Sequence, residues 1–331
     1  MGEKVFVTGG TGFVGANLIR LLLEQGYSVR ALARSLPPGH NLADLEGQGL
    51  EWVLGDLLDD GLATKMRGCR GLFHVAAHYS LWQKDYPSLY QSNVLGTRQV
   101  LAAARAAGIE RIVYTSSVAA LGVKPNGEAA DESYQSPPEK LIGAYKRSKY
   151  WAEQEAKQAA AGGQNLVIVN PSTPVGPWDS KPTPTGDLIL RFLRRRMPVY
   201  VNTGLNLIDA RDVAWGHLLA YQKGRPGERY ILGRQNLSLL EILQTLAAIT
   251  GLPAPTRTVP LALPLTVAWV EEKLLAPLGY QPTVALDGVK MSAQKMYYDS
   301  SRAVRELGLP QSSIEQALAD AVAWYRERRY V

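Results

Sequence analysis

Through its first 175 residues the chain alternates short β-branched and aromatic runs with apolar residues at helical spacing. Lys4-Val5-Phe6-Val7 predicts a strand, and Leu18, Ile19, Leu21, Leu22 and Leu23 predict a helix ending near Gly26. Five more strands are predicted over 27–34, 50–57, 71–77, 111–115 and 166–170, with helices over about 86–107 and from Ala144 to the Gly162-Gly163 break. Parallel neighbours need a crossover, and a helix supplies it, so this alternation predicts an α/β doubly wound parallel sheet.

Beyond residue 175 the alternation loosens and proline becomes frequent. Short elements are predicted there: helices near 185–196, 212–223 and 239–250, and strands at 199–201 and 229–232. A last helix over 314–328 carries Ala317, Leu318, Ala321, Val322 and Tyr325 on one side. The expected division is a first domain of 1–175 with part of 200–235, and a smaller, discontinuous C-terminal α/β domain from 176–331. Residues 260–279, PLALPLTVAWVEEKLLAPLG, are strongly apolar but bounded by Pro264 and Pro277 and broken by Glu271, Glu272 and Lys273. The stretch is too short to span a bilayer. It reads as a helix packed on its own domain or a partner subunit, with a weak membrane contact as the sharper alternative.

Composition narrows the classes. A chain of 331 residues, 46% hydrophobic and 20% charged, is ordinary for a soluble enzyme. The net charge of +6 suggests an anionic partner, and a dinucleotide phosphate suffices. The basic clusters Arg194-Arg195-Arg196 and Arg326, Arg328, Arg329 are small and read as solvated helix faces, with no nucleic-acid-binding module around them. One cysteine, Cys69, excludes an intrachain disulfide. His40, His74, His78 and His217 lack metal-ligand spacing, so no metal site is expected. With Lys4 followed at once by a strand and glycines, no signal peptide is read, and a cytoplasmic location is the expectation.

Chemistry enters at the end of the first strand. Thr8-Gly9-Gly10-Thr11-Gly12-Phe13-Val14-Gly15 joins strand to helix with a Gly-x-x-Gly-x-x-Gly spacing. Gly9 permits a tight turn, Gly12 permits close approach of a pyrophosphate, and Gly15 lets the helix lie close to the sheet. The helix start attracts phosphate. The second strand ends in Arg34, with Arg30 inside it and no carboxylate; an acid there would hold the ribose of NAD, whereas a cation accommodates the extra phosphate of NADP. NADP is therefore expected, with NAD open and a plain surface arginine as the alternative. Asp56 follows the third strand, where it would meet adenine or cap a helix. The small residues Ala76 and Ala77 let a cofactor lie against the fourth strand. Tyr145 and Lys149 are four apart on one helix face, so a lysine ammonium, with a cationic nicotinamide, would tune the phenol as a general acid or base. Tyr79 and Trp82 would line a pocket or simply pack.

The chain resembles the extended short-chain dehydrogenase/reductases, the superfamily of sugar-nucleotide epimerases, dehydratases and dihydroflavonol reductases, along essentially its whole length. TGGTGFVG resembles that family's cofactor loop, YKRSK its catalytic motif, TSSVAALG its serine segment, NVLGT around Asn93 the motif supporting the active site, and PSTPVGP the segment reaching the nicotinamide carboxamide. The resemblance implies a Rossmann-type NAD(P)-binding domain followed by a substrate-binding domain. It implies catalytic Ser117, Tyr145 and Lys149, with Ser116 the weaker choice of serine. It implies a cofactor held by Thr8, Gly9, Thr11, Gly12, Phe13, Val14, Arg34, Asp56, Leu57, Ala76, Ala77, Thr115, Tyr145, Lys149, Pro171, Ser172 and Thr173. Asp209, Arg211 and Asp212 would contact substrate or form a surface salt bridge with a helix cap at Asp212. Two subgroups are nearest, the hopanoid-associated sugar epimerases and the dihydroflavonol 4-reductases. The implied activity is an NADPH-dependent carbonyl reductase acting on a small molecule, with an NAD-dependent sugar-nucleotide epimerase and a non-catalytic NADP sensor as alternatives. Val118 follows Ser117 where a dehydratase would want an acid pair, which ranks dehydration lower. A homodimer through helices near 86–107 and 144–161 is also implied.

Overall fold

The computed structural model describes residues 2–36, 41–45, 47–276, 280 and 285–331; His40 and Pro277, with the end of the apolar 260–279 stretch, lie outside these. In chain order the strands are β1 (Lys4–Thr8), β2 (Ser28–Ala33), β3 (Leu50–Leu54), β4 (Gly71–His74), β5 (Arg111–Thr115) and β6 (Leu166–Pro171). They continue as β7 (Thr173–Val175), β8 (Val199–Tyr200), β9 (Gly204–Asp209), β10 (Arg229–Leu232), β11 (Gln235–Ser238) and β12 (Arg257–Thr258). The helices are α1 (Phe13–Glu24), α2 (Leu62–Met66), α3 (Tyr86–Tyr90), α4 (Gly96–Ala106), α5 (Val118–Leu121), α6 (Ala144–Ala161) and α7 (Pro184–Leu193). Then follow α8 (Ala210–Lys223), α9 (Leu239–Thr250), α10 (Ala262–Val270), α11 (Leu286–Met291), α12 (Ser301–Leu307) and α13 (Ile314–Glu327).

Seven strands form one sheet in the order β10-β6-β5-β4-β1-β2-β3. Its pairs are parallel, with Val5 opposite both Val29 and Gly71. This is the doubly wound order with β10 added at one edge. Chain direction reverses its winding at β1 and β4, so the crevice beyond their carboxyl ends is where a ligand is expected. One face buries Val5, Val7, Leu18, Leu22, Val213 and Leu218 under α1 and α8. The other buries Phe6, Leu101, Ala104, Ala152, Ala156 and Ile168 under α4 and α6. Each fully buried aliphatic side chain contributes roughly 1.5–3 kcal/mol, which makes these two layers the main source of rigidity. A separate cluster joins α7, α9 and α13 to β9 through Ile189, Leu207, Leu243, Leu318 and Tyr325.

Several local readings change. The predicted helix over 86–107 is α3 and α4 joined by a π-helical turn, Gln91–Leu95. β7, β9 and β11 were not predicted: they are short and partly polar, and their pairing is long-range, with Leu207 opposite both Thr173 and Gln235. β3 and β4 end earlier than predicted, at Leu54 and His74, where the chain leaves the sheet toward the crevice. α7 stops at Leu193, and Arg195 takes a left-handed φ of 55°. α12, assigned by sequence to the C-terminal unit, buries Ala303 and Leu307 in the core of the large sheet. Among the described residues no helix is long and apolar enough to cross a membrane.

Candidate active site

The glycine turn after β1 is shaped by close backbone approach. Gly9 sits at φ 74°, and a Cβ there would lie 2.6 Å from the Ala76 nitrogen at the exit of β4. A Cβ on Gly15 would lie 2.1 Å from the Gly9 carbonyl oxygen, so α1 presses on the loop itself more than on the sheet. Gly12 is the N-cap of α1 in extended conformation, and no side chain caps it. The first N–H groups of α1, at Phe13 and Val14, therefore face outward from a bare helix start, a cradle suited to phosphate. Thr11 is exposed beside them. Thr8 departs from the expectation: it is buried, its hydroxyl pairs with His74 Nδ1 at 2.7 Å and accepts from the Ala76 nitrogen at 3.2 Å. It ties β1 to β4 and does not face the cradle.

At the other end of this cradle Arg34 is exposed just past β2. Arg30 is committed elsewhere, donating to Glu51 at 2.9 Å and to the carbonyls of Lys65 and Arg67. Asp56 accepts from the Leu58 nitrogen at 3.1 Å, a local turn rather than a helix cap. Leu57 rests on the start of α4 at Gly96. At the opposite wall, Ser172 follows β6 with its nitrogen bonded to the Leu232 carbonyl, while its buried hydroxyl oxygen has no partner among the described residues. Such an orphan oxygen between Pro171 and Thr173 suits a ligand amide. Cradle, exposed Arg34 and orphan hydroxyl together fit a bound dinucleotide.

Tyr145 and Lys149 share one face of α6. Lys149 is buried and donates to the Thr115 carbonyl at 2.9 Å, with Nζ 5.3 Å from the Tyr114 ring centre. Burial pushes its amine down to about 8, and Glu153 works in the other direction. Burial pushes the Tyr145 phenol up to about 12, with the Ser117 hydroxyl opposing the rise. Ser117 caps α5 by accepting from the Ala119 nitrogen at 3.1 Å. Ser116 is withdrawn: its hydroxyl donates to Glu153 at 2.6 Å inside the protein. Tyr79 meets Tyr145 edge-on with ring centres 4.5 Å apart, so it does line the site.

Residues beneath this pair hold it still. Asn93, in the π turn, accepts from the His78 nitrogen at 2.7 Å and donates to the His78 carbonyl and to Ser148 Oγ, both at 2.9 Å. Ser148 in turn donates to the Tyr145 carbonyl at 2.8 Å. Sequence reasoning missed Glu153. It takes hydrogen bonds from Ser116 and Asn170 and ion pairs from Arg229 at 2.9 Å and Lys157 at 3.1 Å. Burial opposes its charge, but Arg229, Lys157 and the two hydrogen bonds outweigh that and hold its carboxyl below the ordinary value. Its spacing of four from Lys149 was the available signal. His74 and His217 are also structural. His74 lies between Thr8 and Thr97, and His217 between Thr115 and the Val213 carbonyl. Burial lowers them to about 3 and about 4, so both are neutral.

The residues expected where the second unit returns make structural bonds. Asp209, not Asp212, caps α8, accepting from the Arg211 nitrogen at 2.8 Å, and Arg211 bridges Asp209 and Asp320. Asp212 accepts from the nitrogen and hydroxyl of Ser312, both at 2.8 Å. Among the described residues no group of three metal-binding side chains gathers.

Known proteins share this arrangement. The profile of the NAD dependent epimerase/dehydratase family matches residues 5–233. The chain belongs to that family. It is an NAD(P)-dependent enzyme of the extended short-chain dehydrogenase/reductase type. A Synechocystis sp. protein with the provisional name dihydroflavonol 4-reductase is 70% identical, covering 100% of this chain and 97% of its own. Sterol demethylase protein B of Methylococcus capsulatus is 38% identical over 97% of this chain and 98% of its own. The crystal structure of gox2253 superposes with a TM-score of 0.86 at 42% identity, covering 98% of each chain.

Proposed function

We propose that this family member is an NADPH-dependent carbonyl reductase similar to dihydroflavonol 4-reductase. The observation that carries the reading is the protonated phenol of Tyr145 beside Ser117, with Lys149 fixed one helical turn away. Gly9, Thr11, Gly12, Phe13 and Val14 would hold the pyrophosphate, Asp56 and Leu57 the adenine, and Arg34 the additional phosphate of NADP. Ala76, Ala77, Thr115, Lys149, Pro171, Ser172 and Thr173 would hold the nicotinamide half. When bound, the nicotinamide supplies the hydride to the carbonyl carbon. A phenol raised by burial keeps its proton at neutral pH, so Tyr145 donates it to the carbonyl oxygen as the alcohol forms. Ser117 holds that oxygen in place, and such a positioned donor contributes a few kcal/mol to the barrier. Lys149, still mostly protonated at pH 7, places positive charge near the phenolate left behind.

The C-terminal unit around β9, α7, α9 and α13 is the substrate-binding domain in this reading. The exposed Trp151 on α6 supports a homodimer through α4 and α6, and the exposed apolar side of α10 supports a weak membrane contact. A cytoplasmic setting belongs to the same reading.

The test is cofactor binding to the purified protein, NADP(H) against NAD(H), in wild type and Arg34→Ala. Selective NADPH binding that weakens about 10-fold or more in the variant supports the reductase. Tightly retained NAD, indifferent to Arg34, would replace it with the epimerase reading that the family's name favours.

A further inference from the structure

Among the described residues, six charged side chains other than histidine are nine-tenths buried or more: Lys146, Lys149, Glu153, Asp179, Asp209 and Asp212. Five have polar partners. Lys149 binds the Thr115 carbonyl, Glu153 its four donors, Asp179 Thr183 and Tyr325, Asp209 Arg211, and Asp212 Ser312. Lys146 is the exception: it is 6% exposed and makes no hydrogen bond or ion pair among the described residues. Burial alone accounts for the lowering of its amine to about 8, with no charged neighbour acting on it. An ammonium enclosed without a partner destabilises a fold by up to several kcal/mol, so folding gives no reason for a lysine here.

Helix geometry locates it. Lys146 and Glu153 are seven residues apart on α6, hence within about 20° of one another around the axis and about 10 Å apart along it. Glu153 bonds Asn170 of β6 and Arg229 of β10, so this strip of the helix faces the β6–β10 side. Lys149 already reaches the last carbonyl of β5. Lys146, one turn nearer the helix start, therefore stands beyond the strand ends, beside Tyr145, on the side where the chain passes from β6 to β7 and into the second unit. α6 packs there against α5, whose cap is Ser117.

We propose that Lys146 is a substrate-binding residue whose ammonium receives an anionic oxygen group, a carboxylate or phosphate, carried by the carbonyl substrate on the β6–β10 side of the reacting carbon. The proposal rests on the reductase reading for its substrate class. An anion of that kind completes the ion pair that the protein leaves open. It also selects acidic carbonyl compounds over neutral ones of equal size, because the neutral compound leaves the buried amine unpaired.

The test measures binding of benzoate, phenyl phosphate and neutral benzamide to the NADP-loaded protein, in wild type, Lys146→Met and Lys146→Arg. The expected result is that wild type binds one of the two anions at least 10-fold tighter than benzamide, and which anion wins names the group. Lys146→Met should lose that preference, Lys146→Arg should keep part of it, and Lys146→Met should melt no lower than wild type while binding NADP equally well. Two results overturn the proposal: equal anion preference in wild type and Lys146→Met, or no preference in wild type. A Lys146→Met protein that melts lower and loses NADP as well would assign the lysine a structural role and also overturn it. Reduction of 4-formylbenzoate and benzaldehyde separates this from the broader reading. Benzaldehyde turnover without anion preference sinks Lys146 alone, whereas anion preference without any NADPH oxidation sinks the reductase and leaves the site.

Discussion

The carboxyl edge of the large sheet and the pair α10–α11 border the same crevice, yet they are built on opposite rules. They meet where Gly143, the N-cap of α6, lies against Asp287, and where Gly288 lies against Leu81. At the sheet edge polar groups are buried and matched: Thr8 to His74, Thr115 to His217, Asn93 to His78 and Ser148, Glu153 to Arg229. On α10 the order is inverted. Ala268 is the buried residue of that helix, while Leu263, Val267 and Trp269 are 59%, 49% and 49% exposed. Leu274 is exposed as well, and Glu272 turns inward to accept from the Leu286 nitrogen. The difference teaches how the work is divided. Proton transfer needs groups held to fractions of an ångström, which a saturated hydrogen-bond network supplies. A wall with few buried contacts can shift to admit substrates of different shape.

Breaking the ordered side should show first in turnover. Tyr145→Phe keeps the ring against Tyr79 and removes the proton donor. We expect NADPH oxidation to fall by about 10²–10⁴-fold with cofactor binding unchanged, measured by absorbance of the reduced nicotinamide and by titration of its fluorescence. A variant retaining wild-type turnover would remove Tyr145 from the chemistry.

Acid sharpens the comparison next. His74 and His217 sit near 3 and 4 in the fold, against about 6.5 in an unfolded chain. Below pH 6.5 the unfolded state binds more protons, so the stability these neutral rings contribute above that pH is lost as pH falls toward their folded values. Each contributes a slope approaching about 1.4 kcal/mol per pH unit. Urea midpoints should therefore drop between pH 6.5 and 5, before most carboxylates titrate, and a flat profile there would contradict neutral burial.

The smallest effect belongs to the loose side. Leu263→Ser and Val267→Ser remove exposed apolar surface, and each should change the unfolding free energy by less than about 0.5 kcal/mol. A loss above 2 kcal/mol in thermal or urea unfolding would mean that α10 is packed in solution, against the contrast drawn above.

The sheet was legible because each of its early strands carries its own apolar run and each crossover its own helical period. The glycine turn was legible for the same local reason. Asn93 and the Tyr145–Lys149 spacing reached the page through family resemblance, and the structure supplied what they touch. Thr8 was misread because a hydroxyl at the end of a strand looks the same whether it faces a ligand or a histidine 66 residues away. The cap of α8 was misplaced from Asp209 to Asp212 because β9, which ends at Asp209, was not seen.

Taken alone, the amino-acid order determined the strand–helix alternation, the phosphate cradle and the type of chemistry, since all three are written in neighbouring residues. Tertiary structure decided which polar groups are consumed in holding the edge together and which remain for a ligand. Ser116 and Ser117 are adjacent in the chain, as are Tyr145 and Lys146, yet one serine is spent on Glu153 while the other stands by the phenol, and Lys146 is buried with its charge unanswered. Availability depends on what distant segments bring within about 3 Å, and that distance exists only once the chain has folded.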